Sequence, residues 1–241
     1  MTNQSRPWEM LVVGGALLLP LLVSHELQAQ EPVLGSSPQA FKTPLAPGDI
    51  DTSLSHIYVY VYKTGFGHEH GVEAKVKSGH LQLGANQGEI VIDMTSFSAD
   101  TDQARRYVGL DGSIDPGTRK EVNKNMLGPD VLDVQKYPLA IFKVSSIQPV
   151  KADHPNGPQR LELTGNFTLH GKTNELTVFA DSTKVKGYTR IDGNIMIMQS
   201  DYGITPFHNA LGAVGVADRL TINGDLWVAD EPTVQETGVQ R

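Results

Sequence analysis

The densest cluster of side chains able to do chemistry is Gly67-His68-Glu69-His70-Gly71. On a β-strand, residues two apart share a face, so His68 and His70 can present two imidazoles to one divalent metal. A complete site needs a third donor, and His80 or Asp93 on neighbouring segments are the sequence candidates. The competing reading places glycine-flanked histidines in an exposed turn, because an H-x-H spacing alone often arises by chance. Asp100 and Asp102, beside Arg105 and Arg106, offer a second cluster. General acid–base work requires one of the two carboxylates to be raised in pKa by burial. Their segment reads as a solvated loop, so ion pairing that pins a lid is the expectation. No serine lies in a G-x-S-x-G setting, no glycine loop is built to cradle phosphate, and the chain has no cysteine. Disulfides, thiolate metal sites and cysteine nucleophiles are therefore excluded. The sequence assigns no catalytic residue, no cofactor and no metal ligand; a metal at His68 and His70 is kept as the alternative.

These groups must be positioned by strands. Residues 160–171 (RLELTGNFTLHG) alternate Leu161, Leu163, Gly165, Phe167 and Leu169 against Arg160, Glu162, Thr164, Asn166, Thr168 and His170. That period of two requires a β-strand with one dry and one wet face. Seven further segments read as strands: 55–63, 72–83, 88–97, 139–147, a short one at 176–180, 190–198 and 218–228. Eight strands with glycine-rich punctuation and no alternating helices predict an all-β antiparallel sandwich or closed barrel. Gly165, Gly193 and Gly224 fall on the inward phase, which fits bent walls and an interior with free volume. An eight-strand barrel is filled by side chains or holds one slender ligand.

Residues 100–138 break the pattern and read as a partly helical insertion or lid. Thr101 or Asp102 is the expected cap of a first helical piece. Thr118 with Glu121 has capping-box spacing for a second, with Val122, Met126 and Leu127 as its apolar stripe.

The termini have their own signatures. Arg6, an apolar run from Met10 to Val23 and the small residue Ala29 read as a signal peptide over residues 1–29. The run is too short to span a bilayer, which takes roughly 20 residues. Residues 30–51 carry four prolines and read as a linker. The domain is expected over 52–229, and 230–241 as a disordered tail. The formal charge of −7 becomes −6 once Arg6, Glu9 and Glu26 are removed, which disfavours nucleic acid and anionic membrane surfaces. A periplasmic or secreted location follows, without stable membrane insertion after signal cleavage; a homodimer is left open.

Several segments resemble the YceI-like family. Tyr137-Pro138-Leu139-Ala140-Ile141-Phe142 is similar to its Y-P-x-(apolar)-x-F strand. Residues 163–173 (LTGNFTLHGKT) resemble its G-x-L/F-T-(apolar)-H-G-x-T signature, and Ser200-Asp201-Tyr202-Gly203 its R-x-D-F/Y-G segment. The lid departs from the family's short R-D-x-H-L-(K/R)-S form. The resemblance spans about residues 57–228. It implies an eight-stranded, lipocalin-like antiparallel barrel, usually exported, with an apolar tunnel for a polyisoprenoid or similar fatty amphiphile. The expected lining is Phe142, Val144, Leu163, Phe167, Leu169, Ile195, Ile197, Leu220, Ile222 and Leu226. A third reading is a packed barrel serving as an interaction module. Phenylalanine at Gly165 or Gly193 is expected to plug the tunnel without unfolding the chain.

Overall fold

The computed structural model describes residues 44–152, 154 and 157–231. Among the described residues nine strands form: β1 His56–Gly65, β2 His70–Gln82, β3 Gln87–Ala99, β4 Leu139–Val150, β5 Gln159–Leu169, β6 Lys172–Val185, β7 Tyr188–Met198, β8 His208–Asn209 and β9 Val214–Ala229. They pair in the order β1-β2-β3-β4-β5-β6-β7-β9, every pair antiparallel, and β9 returns to pair with β1. The result is a closed eight-strand antiparallel barrel, as the sequence pattern and the resemblance imply. Closure leaves no unpaired edge among the eight, and β8 adds only a two-residue flap on β9.

The alternation seen in sequence sets the register. Leu161, Leu163, Phe167 and Leu169 of β5 are buried, as are Ile57 and Val59 of β1 and Ala140, Phe142 and Val144 of β4. The ladder slips between Val144 and Ser146 where β4 meets β5, so β4 carries a bulge that bends the wall. Gly165 sits opposite this bulge. A β-carbon there would lie 2.1 Å from the Lys143 carbonyl oxygen, so only glycine permits the strands to approach so closely.

Several boundaries differ from the sequence expectation. The segment expected to be short at 176–180 is the centre of β6, a fourteen-residue strand. Its ends are polar on both faces, so hydropathy alone conceals them. The strand expected to reach Gly171 ends at Leu169, because His170 (φ 50°) and Gly171 (φ 75°) form the two-residue turn into β6. Two successive positive φ values are what a type I′ hairpin demands. Tyr137 packs on this turn, its ring centroid 4.3 Å from that of His170. The H-G and Y-P motifs therefore meet at one corner.

Residues 46–51, placed by sequence in the linker, lie on the barrel. Ile50 is buried and bridges to Val228, Asp49 bridges to His80, and the Gly48 amide donates to the Ala229 carbonyl. At the other boundary Asp230 is tied to the barrel by Lys184 and Thr189. The signal segment, most of the Pro-rich stretch and residues 232–241 lie outside the described residues.

The insertion holds two helices, α1 Asp102–Tyr107 and α2 Pro116–Leu127. Thr101 caps α1, accepting from the Ala104 amide at 3.0 Å. The cap of α2 is Asp115, not Thr118: its carboxylate accepts from the amides of Gly117 and Thr118, and Pro116 occupies the first turn. An aspartate before a proline at N1 outcompetes a threonine inside the turn. Among the described residues no helix is long and apolar enough to cross a membrane.

Candidate ligand tunnel

Inside the barrel the inward side chains do not meet across the axis everywhere. They leave a cavity of about 300 Å³ toward the lid and a second of about 90 Å³ deeper in. Ile57, Ile92, Phe167 and Ile222 border both, so the two chambers adjoin at a waist made by these four side chains. The larger volume is at the small end of ligand pockets. The deeper chamber is walled by aliphatic side chains, Phe142, Phe167 and two glycines.

The outer chamber has an apolar body and a polar mouth. Lid helix α2 contributes Val122 and Met126 to its wall, with Thr118, Glu121 and Asn125 beside them. His68, His70, Gln199 and Asn209 complete the polar part. Phe66 and Leu211 stand fully exposed on the neighbouring loops, which are joined by a hydrogen bond from the Phe66 amide to the Ala213 carbonyl. Apolar surface thus continues from the rim into the interior.

Nine of the ten expected lining residues border these chambers. Phe142, Leu163, Ile195 and Leu226 face the inner chamber, and Leu169, Ile197 and Leu220 the outer one. Phe167 and Ile222 face both. Val144 borders neither; it is buried where β4 bulges against Gly165. The sequence reading omitted Ile57, Val59 and Ile92, although β1 and β3 show the same period of two.

The interior glycines play different parts. A β-carbon on Gly193 would lie 2.6 Å from the Ala180 β-carbon and 2.7 Å from the Phe179 carbonyl oxygen. Together with the clash at Gly165, this overturns the expectation that either position accepts phenylalanine with the fold intact. Of the three, Gly224 alone has room for a β-carbon, with Ile57 Cδ1 as the nearest contact at 3.8 Å.

At the mouth the structure joins the two polar clusters of the sequence. His70 Nδ1 lies 2.6 Å from Asp100 Oδ2, and Arg105 Nη1 donates to Asp100 Oδ1 at 3.0 Å. Burial alone would raise the Asp100 pKa. Hydrogen bonds from His70, Arg105 and the Gly71 amide outweigh it and hold the carboxyl below its ordinary value. Arg105 also donates to the carbonyls of Gly112 and Asp111, so the expected pinning of the lid by an ion pair takes this form. Gly71 lets α1 press against β2: a β-carbon there would lie 2.9 Å from the Ala104 backbone.

The His68 ring stands 4.5 Å from the His70 ring. The residue is exposed, but partial burial of its ring, then the neighbouring His70, pushes its pKa down. The third-ligand candidates from sequence lie elsewhere. His80 pairs with Asp49 at 2.9 Å, and Asp93 accepts from Thr95 at 2.6 Å. Asp100 is the acid that stands beside both imidazoles: one donor atom from each of His68, His70 and Asp100 lies within 4.8 Å of the others.

Comparison with known proteins agrees with the architecture. The structure of Burkholderia cenocepacia BcnA matches with a TM-score of 0.51 at 21% identity, over 75% of this chain and all of that one. A polyisoprenoid binding domain from Saccharophagus degradans, implicated in plant cell wall breakdown, matches with a TM-score of 0.47 at 14% identity, over 77% of this chain and all of that one. The Campylobacter jejuni YceI protein matches at 0.42 and 13% identity, over 71% of this chain and 85% of that one. No curated protein matches the sequence. The model of the YceI-like domain matches residues 49–228, and with the barrel and its tunnel in place, the chain belongs to the YceI-like family.

Proposed function

We propose that this protein is an exported carrier that holds the apolar chain of a polyisoprenoid or similar long-chain amphiphile inside its barrel. The observation that carries the reading is the pair of adjoining apolar chambers with polar groups confined to the lid end. An amphiphile fits this polarity with its tail inward and its head group among His68, Glu121, Asn125 and Gln199. Burying one isoprene unit of about 100 Å² contributes roughly 2.5 kcal/mol at ~25 cal/mol per Å², before ordering costs. A wall that offers dispersion contacts and few hydrogen bonds selects for chain shape more than for chemical detail. Export rests on the signal-like residues 1–29.

The test is mass spectrometry of an organic extract of the purified mature protein. A near-stoichiometric long-chain lipid is the expected result and names the ligand class. An empty extract, together with failure to take up a polyprenol from detergent, overturns the carrier reading. N-terminal sequencing of periplasmic material tests cleavage after Ala29.

A further inference from the structure

We propose that His68, His70 and Asp100 form a binding site for one divalent transition metal of the zinc class, at the lid end of the barrel. It is independent of the lipid reading. Three features carry it. The donor atoms lie within 4.8 Å of one another. In a tetrahedral site with zinc bonds near 2.0–2.2 Å, donors stand about 3.3 Å apart. His68 therefore closes by up to roughly 1.5 Å, while the His70 Nδ1–Asp100 Oδ2 pair, at 2.6 Å, opens by about 0.7 Å to admit the metal. His68 can supply that movement, because it is exposed and lies on the loop between β1 and β2, next to Gly67.

The acid is prepared for the role. Arg105 and the Gly71 amide take Asp100 Oδ1, at 3.0 and 3.3 Å, which leaves Oδ2 with His70 as its hydrogen-bond partner. The carboxylate is thus oriented by outer partners and presents one oxygen, the arrangement that supports ligating groups in metal sites. The metal takes the place of the hydrogen between His70 Nδ1 and Asp100 Oδ2, and the neutral imidazole then carries its one N–H on Nε2. His68 adds a second imidazole. Two nitrogens and one carboxylate oxygen suit zinc, cobalt or copper rather than calcium or magnesium, which prefer all-oxygen shells. Both histidines border the outer chamber, so a fourth position is open to water or to an oxygen of a bound molecule.

The test uses full mature protein, stripped with a chelator and titrated with Co²⁺ by visible absorption and with Zn²⁺ by calorimetry. One metal per chain, with the d–d bands of a low-symmetry Co²⁺ site, is expected. His68→Ala is expected to weaken binding at least tenfold, and His80→Ala, at the separate Asp49 pair, to leave it unchanged. If His70→Ala does not fold, the exposed His68 position still decides through His68→Ala and His68→Gln. No saturable binding, or equal affinity in wild type and His68→Ala, overturns the proposal. The lipid content of the same samples is read separately, so a carrier without metal and a metal protein without lipid are distinguishable.

Discussion

Gly224 on β9 pairs with Ile57 on the neighbouring strand β1 in the wall of the inner chamber, and a β-carbon built on Gly224 would stand 3.8 Å from Ile57 Cδ1. That is ordinary contact with room beyond it, unlike the overlaps at Gly165 and Gly193. Gly224→Leu therefore fills the inner chamber without moving backbone. Lipid recovered per mole of protein is expected to fall several-fold, with a small change in thermal midpoint. Unchanged lipid content in folded Gly224→Leu would place the ligand outside the inner chamber.

Gly165→Ala gives the contrasting result. Its added methyl overlaps the Lys143 carbonyl, so β4 and β5 must part at the bulge. Overpacking of this kind costs about 1–3 kcal/mol, read as a lower denaturation midpoint. Equal stability of Gly165→Ala and wild type would show that the bulge yields more easily than its geometry implies.

The lid is tied to the barrel unevenly. α1 is held by the Asp100–Arg105 pair and by stacking of Tyr107 on Tyr58, ring centroids 3.9 Å apart. α2 has no fully buried residue, and its start depends on the Asp115 cap. Asp115→Ala removes that cap and leaves the Gly117 and Thr118 amides without their acceptor. Local opening of the helix then becomes easier, so amide exchange across residues 119–127 is expected to quicken several-fold. Lipid release should quicken with it, whereas exchange in α1 stays as it was. Unaltered lipid release in a variant with faster α2 exchange would remove α2 from the exit path.

The barrel was legible because each wall strand repeats an apolar residue every second position, and β5 does so without interruption. The ends of β6 were not, since Lys172, Thr173, Glu175 and Thr183 are exposed and carry no hydropathy signal. Most of the tunnel lining was visible for the same reason as the strands. Val144 shows the limit: the pattern points it inward, but the bulge beside Ser146 places it in packed core. The part of the mouth made by Asp100 was concealed, because it lies 30 positions from His70 in sequence and only strand pairing, which sets Val72 against Ala99, brings them together. Glycine identity was readable, whereas the reason for each glycine was not. Close strand approach at Gly165 and room for a β-carbon at Gly224 look alike in sequence.

The C-terminal end of β9 supplies a pH dependence. Asp230 accepts from Lys184 Nζ at 2.6 Å and from the buried Thr189 hydroxyl. Burial pushes its pKa up, but these two donors outweigh it and hold the carboxyl below its ordinary value. A carboxyl that is more acidic folded than unfolded adds stability above its unfolded pKa, near 3.9. That contribution is lost as pH falls through the folded value. Asp230→Asn is therefore expected to lower the denaturation midpoint at pH 7 by an amount corresponding to about 1 kcal/mol. At a pH below both pKa values the gap between variant and wild type should narrow, since the wild-type carboxyl is then protonated as well. Paired thermal melts at pH 7 and in strong acid measure this; a gap that widens in acid would mean that Asp230 favours its protonated form in the folded barrel.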